Sequence, residues 1–230
     1  MDTTIAGRIA QFAEVTFWLY LAIGLFVFWG YSFFLKDSKL LFPIFRRPTL
    51  SGALLLIFVW FLDGLSSFMA KRLVENTVSE GALATVIAKP LAWHVLLHSS
   101  VEELARGGFY QLFASLTLVG VWLNSFLFGV AHLSGRTVEI ANHPLILLFL
   151  PLSSFATGLS LLAVIMRMGL VWAILLHFAV NTVRFVVITE NIVVNYLLFF
   201  ASVLCLLWIG SLNLRKAIFD QRVQEKDLDP

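Results

Sequence analysis

Apolar runs long enough to cross a membrane fill most of this chain, and the polar residues inside them recur four positions apart. A helix needs about 20 mostly apolar residues to span the hydrocarbon core. Residues 15–34, 50–69, 144–166, 169–189 and 192–214 each supply such a run. The stretch 90–134 is too long for one crossing, and Val119-Gly120 is the place to divide it into two helices. Residues 70–89 mix Lys71, Arg72, Glu75 and Glu80 with apolar side chains. That mixture suits an interfacial amphipathic connection, or a poor extra span over 82–97. The expected fold class is therefore all-α: a polytopic transmembrane helical bundle of about seven spans, or eight if 82–97 also crosses.

Composition supports this architecture and limits its partners. Hydrophobic residues make up 60% of the 230 positions and charged residues 13%, with a mean hydropathy of +0.90. These values lie well outside those of soluble domains. No linker or shift in composition divides the chain, so 1–230 reads as a single integral membrane domain. The net charge of +2 is small, and the basic residues sit in loops and the tail, so nucleic acid is not an expected partner. Lys36, Lys39, Arg46 and Arg47 crowd the first loop, and Arg215, Lys216, Arg222 and Lys226 lie in the tail 215–230. The positive-inside rule places both on the cytoplasmic side. An even number of crossings then separates them, which suits seven spans with the N-terminus outside. Residues 1–14 lack the pattern of a removable signal peptide, so the first run is expected to remain as an anchor. Cys205, the single cysteine, excludes a disulfide framework and reads as a small core residue.

Ionisable groups at membrane depth are costly and tend to face a wet cavity or a functional site. Three polar islands fit that description: Glu102-Glu103 with Arg106, His132 four residues after Phe128, and His177 four residues before Asn181. Positions four apart share one face of a helix, so each pair can point into one cavity. On the residues alone two readings stand. The acid and base can neutralise each other while the histidines tie helices together, or the islands can form a reactive centre. His94 and His98 extend the same stripe into Glu102, giving either an interfacial pair or, with the carboxylate, a metal site. Glu102, His132 and His177 could also hold zinc. Asp63 is a lone acid within the second run, and Arg184 lies about two helical turns beyond His177, where it could snorkel or bind a substrate carboxylate.

Taken in order, Glu102-Glu103-Leu104-Ala105-Arg106-Gly107, Phe128-Gly129-Val130-Ala131-His132-Leu133 and His177-Phe178-Ala179-Val180-Asn181 resemble the three motifs of one family. This is the CAAX prenyl protease and bacteriocin-processing (CPBP, or Abi) family of intramembrane glutamic proteases. The resemblance spans a core of about 90–187. One departure stands out, because only Leu104 and Ala105 separate Glu103 from Arg106, where the family usually has three residues. If Arg106 fixes the alignment, Val101 and Glu102 take the two glutamate positions. If the glutamates fix it, Arg106 is turned by about 100° around the helix. A variant pairing Glu102 with Arg106 one turn away is also physically reasonable.

The resemblance implies an intramembrane endopeptidase with catalytic residues Glu102, Glu103, Arg106, His132, His177 and Asn181. Glu102 by preference, with His132, would hold and activate a water, Glu103 and Arg106 would orient the base, and His177 and Asn181 would donate to the oxyanion. Phe128 could line the substrate cleft or pack in the core. The implied mechanism needs no cofactor, although the sequence leaves zinc open. The implied partners are the lipid bilayer and a membrane-associated peptide or protein substrate. The expected setting is a prokaryotic plasma membrane with a cytoplasmic C-terminus. Two other classes compete: a catalytically inactive self-immunity or scaffolding membrane protein, and a metal or proton transporter using His94, His98 and Glu102.

Overall fold

The computed structural model describes residues 2–33, 42–75, 83–88, 93–113, 117–188 and 191–226. Eight helices are found among them: α1 (Thr3–Phe33), α2 (Leu50–Glu75), α3 (Trp93–Phe113), α4 (Thr117–Ala131), α5 (Thr137–Asn142), α6 (Ile146–Met168), α7 (Leu170–Thr182) and α8 (Ile192–Lys226). Of these, α1, α2, α6 and α8 are long and apolar enough to cross a membrane. Helix α3 spans 21 residues but carries the charged island, while α4 and α7 are apolar and short. The seven expected runs thus correspond to seven helices of unequal length, and α5 is a short connector.

Several boundaries differ from the sequence expectation. The division of 90–134 falls between Phe113 and Thr117, so Gly120 lies inside α4. Helix α7 stops at Thr182, and Val183–Ile188 forms β2, which pairs antiparallel with β1 (Leu83–Ala88). This ribbon is an addition to the helical bundle. It removes the extra helical span considered over 82–97, and it places Arg184 on a strand opposite Ile87 instead of on the His177 helix. Four of the six residues of β2 are Val or Ile, side chains stiff at χ1 that favour strands. Lys36 and Lys39 lie outside the described residues. Cys205 is exposed on α8 and is not the core residue expected.

Between apolar helices in lipid, association depends on close packing more than on the hydrophobic effect, and small residues permit it. Helix α6 is the central element, with sixteen buried residues among its 23, and it touches α2, α4, α7 and α8. Helices α1 and α3 cross at Gly24 and Gly108, where a Cβ on Gly108 would stand 1.8 Å from the Gly24 carbonyl oxygen. Gly129 plays the same part between α4 and α6, because a Cβ there would meet Pro151 O at 2.7 Å. Large apolar side chains such as Phe26, Leu197 and Trp208 remain exposed on α1 and α8, as suits a lipid-facing surface.

Helix α7, which carries the third island, is fixed at both ends. The first-turn amide hydrogens of Leu170 and Val171 are donated to the carbonyls of Pro43 (3.0 Å) and Ile44 (3.0 Å), satisfying groups the helix itself cannot pair. Gly169 precedes it at φ +107°, a conformation that favours glycine, and a Cβ there would meet Ile44 O at 2.7 Å. At the other end Trp60 Nε1 donates to Val183 O at 2.7 Å. Together these contacts fix the depth at which His177 and Asn181 sit.

Candidate active site

Adjacent positions on a helix point about 100° apart, and Glu102 and Glu103 accordingly have different neighbours. Glu103, fully buried, receives Arg106 Nε at 2.9 Å on Oε2 and Arg106 Nη2 at 3.1 Å on Oε1. The Glu102–Arg106 pair considered from the four-residue spacing is not formed, because the three-residue spacing gives a bidentate fork with Glu103. Arg106 Nη1 donates to Gly158 O at 3.2 Å, and the guanidinium carbon lies 3.8 Å from the Phe128 ring centroid. Gly158 makes room for this, since a Cβ there would stand 2.8 Å from Arg106 Nη1.

His177 joins the two glutamates. Its Nδ1 is 2.8 Å from Glu103 Oε1 and its Nε2 is 3.5 Å from Glu102 Oε2. A carboxylate oxygen faces each ring nitrogen. The buried cluster thus sets two acidic side chains beside two basic ones, which lowers the cost of burying it. Glu102 is also buried, and its other oxygen meets His98 Nδ1 at 3.2 Å. The His98–Glu102 part of the predicted stripe therefore exists, whereas Arg106 turns away from it and His94 is exposed. Among the described residues, no three His, Cys, Asp or Glu side chains converge as a metal-binding group.

His132 follows the last residue of α4, in the turn that ends the helix. Its Nδ1 lies 2.9 Å from Phe128 O. A carbonyl can only accept, so Nδ1 carries the hydrogen and Nε2 is left as the acceptor. Arg136 Nε in turn donates to His132 O at 2.9 Å, satisfying a carbonyl at the helix end. Asn181 Nδ2 is 3.4 Å from Ser99 Oγ. Phe128 is buried beneath Arg106 and also lines a cavity.

That cavity, of about 490 Å³, brings His132, His177, Asn181 and Phe128 to one space. Asp63, Ser67, Ser154, Thr157, Arg136 and Glu139 line it as well. Glu102 does not line it, and reaches it through His177.

Several supporting residues went unnoticed in the sequence. Tyr20 donates to Asn124 Oδ1 at 2.9 Å, and Asn124 Nδ2 donates to Arg106 O at 3.0 Å. The N-terminal helix thereby supports the segment that holds the island. Asn124 continues the four-residue stripe through Phe128 to His132, which is a readable signal; Tyr20 and Gly158 give none.

Fold and site together define an integral membrane helical bundle with a buried Glu/Arg/His cluster beside a polar cavity. Residues 81–183, just under half of the chain, match the family model described as Type II CAAX prenyl endopeptidase Rce1-like. The match bears out the family resemblance drawn from the three motifs. At the general level it supports a membrane-embedded protease acting on a membrane-associated substrate. No curated protein and no solved structure gives a significant match to the chain.

Proposed function

We propose that this protein is an intramembrane endopeptidase that hydrolyses a peptide bond with a water activated by Glu102. The observation that carries the proposal is the position of His177, which touches both glutamates and also lines the cavity. Glu103 has both oxygens committed to Arg106 and His177, which suits a positioning role. Among the described residues Glu102 is held by two histidines, and it retains lone pairs for a proton.

In the proposed reaction, water enters between His132 Nε2 and Glu102 Oε2. Glu102 takes a proton as the water oxygen bonds to the carbonyl carbon. The resulting oxyanion accepts hydrogen bonds from His177 Nε2–H and the Asn181 amide. Losing one such donor costs about 2.7–4 kcal/mol of transition-state stabilisation in comparable sites. The carbon–nitrogen bond then breaks, and the proton held by Glu102 passes to the leaving nitrogen, giving a carboxylic acid and an amine, between which the acid proton then passes to leave a carboxylate and an ammonium. The substrate is a membrane-associated peptide or protein, in a prokaryotic plasma membrane with the C-terminus cytoplasmic.

A second reading, an inactive immunity or scaffolding protein, draws on the fact that Glu102 does not itself line the cavity. Purified protein in detergent, offered a mixed peptide library with and without chelator, separates the two. The peptidase reading expects chelator-resistant cleavage that is lost in folded Glu102→Ala and His132→Ala variants. A folded wild type that cleaves nothing points to the second reading, and cleavage abolished by chelator points to a metal.

A further inference from the structure

The cavity that His132 and His177 line is also lined by a carboxylate that the proposed chemistry does not use. Asp63 projects from α2 and is 2% exposed, and its Oδ2 is buried with no hydrogen-bond partner. It is the only buried side-chain nitrogen or oxygen among the described residues in that condition. Its Oδ1, by contrast, accepts the hydroxyl of Thr157 from α6 and that of Ser67 (3.4 Å) from the next turn of α2. No ion pair between Asp63 and another described residue is found.

The direction of these bonds matters. Ser67 and Thr157 each spend their single hydrogen on Oδ1, so toward the cavity they can offer only oxygen lone pairs. Asp63 Oδ2 offers lone pairs as well. These three side chains therefore present acceptors, which match a group that only donates. An ammonium group has three donors and no acceptor, and it would supply the charge that an ionised Asp63 lacks. An ionisable residue facing a cavity at membrane depth is also where a substrate pathway is expected.

We propose that Asp63, with Ser67 and Thr157, forms a specificity subsite that receives a cationic ammonium group, a lysine side chain, of the bound peptide. The subsite shares its cavity with His132 and His177, so the cation would be held beside the bond to be cut. The assignment rests on the peptidase reading, and its test is made independent of cleavage.

Short peptides are blocked at both ends and N-methylated along the backbone, which prevents hydrolysis and leaves lysine as the one strong donor. Binding to the full-length protein in detergent is measured for a lysine peptide and its acetyl-lysine counterpart. The wild type is expected to bind the lysine form about tenfold or more tightly, the range of a charge-assisted hydrogen bond. Asp63→Asn, nearly isosteric and still able to accept from Thr157 and Ser67, is expected to erase that preference. Ser67→Ala is expected to reduce it. Equal binding of the two peptides by wild type, no binding of either, or a preference that survives in Asp63→Asn overturns the subsite. Asp63-dependent stabilisation by sodium ion with no lysine preference also overturns it, in favour of an inorganic cation. Lysine-selective binding together with no cleavage of a peptide library would sink the peptidase reading and leave the subsite standing.

Discussion

The buried fork between Glu103 and Arg106 gives the sharpest test of how the centre is held together. Both side chains are fully inaccessible, so removing one partner leaves an uncompensated charge. Arg106→Met deletes two bonds to Glu103, the bond to Gly158 O and the contact over Phe128. It leaves Glu103 with His177 as its counter-ion. Breaking a buried pair from one side costs about 3–5 kcal/mol. Glu103→Gln keeps an acceptor for His177 but leaves a guanidinium that cannot shed its proton, at a similar cost of about 3–5 kcal/mol. Independent effects would sum to about 6–10 kcal/mol. The double variant removes both charges and forfeits only hydrogen bonds, at about 1–3 kcal/mol. The pair should therefore show a coupling of at least about 3 kcal/mol, against roughly 0.5 kcal/mol for independent sites. Unfolding in mixed detergent and SDS micelles, followed through the seven tryptophans, measures this cycle. Peptidase activity should stay lost in the double variant even as stability returns. A double variant as unstable as the sum of the singles would refute the fork as the element holding the centre.

Three further outcomes follow from the same geometry. Gly108→Ala places a methyl 1.8 Å from the Gly24 carbonyl, so α1 and α3 must separate; we expect a loss of 3 kcal/mol or more, beyond the usual ~1–3 kcal/mol of overpacking, read as a drop in thermal stability in detergent. Tyr20→Phe removes the hydroxyl that Asn124 accepts and should cost about 1–3 kcal/mol in an unfolding titration, with KM for a cleaved peptide unchanged. Asn181→Ala should lower kcat by about 10²–10³ with the melting temperature nearly unchanged, and a purely structural asparagine would show the reverse.

The sequence made the site's residues legible more readily than their pairing. Four-residue spacing placed His177 and Asn181 on one face of α7, and Phe128 and His132 at one end of α4, as observed. The same rule suggested Glu102 for Arg106, where the fork forms three residues back on Glu103. Both spacings bring helical neighbours together, and the choice is made by tertiary contacts: Gly158 and Phe128 draw the guanidinium to the Glu103 side. The end of α7 was hidden for a related reason. Val183 to Ile188 continues an apolar run, and apolar runs alone do not separate a buried helix from a strand. The pairing with 83–88 that decides the matter lies 95 residues away in sequence at its near end, Ala88 with Val183, and 105 at its far end, Leu83 with Ile188, and leaves no local signal. Tyr20 and Asn124 meet across 104 positions and were equally out of reach.

The one-residue shortening before Arg106 acquires a physical meaning in this light. Two adjacent glutamates cannot share one environment on a helix, because the step of about 100° sends them to different neighbours. Here the arginine lies one turn from Glu103, and the fork consumes that carboxylate's oxygens. Among the described residues Glu102 meets imidazoles, His98 on its own helix and His177 from α7. Imidazoles can gain or lose a proton near neutral pH whereas a guanidinium cannot. In the proposed mechanism this divides the labour. One carboxylate is held ionised as a structural anchor for Arg106 and His177, and the other exchanges protons. Two carboxylates given opposite tasks by their surroundings is a recurrent catalytic pattern. A spacing that had placed Arg106 against Glu102 would have tied up the base and left Glu103 without its fork. The shortened motif is therefore compatible with chemistry at Glu102, and the comparison of Glu102→Ala with Glu103→Ala decides the point: loss of cleavage with retained stability in the first, and loss of both in the second. Equal stability losses in the two variants would mean that the carboxylates share a structural task and that the division of roles is wrong.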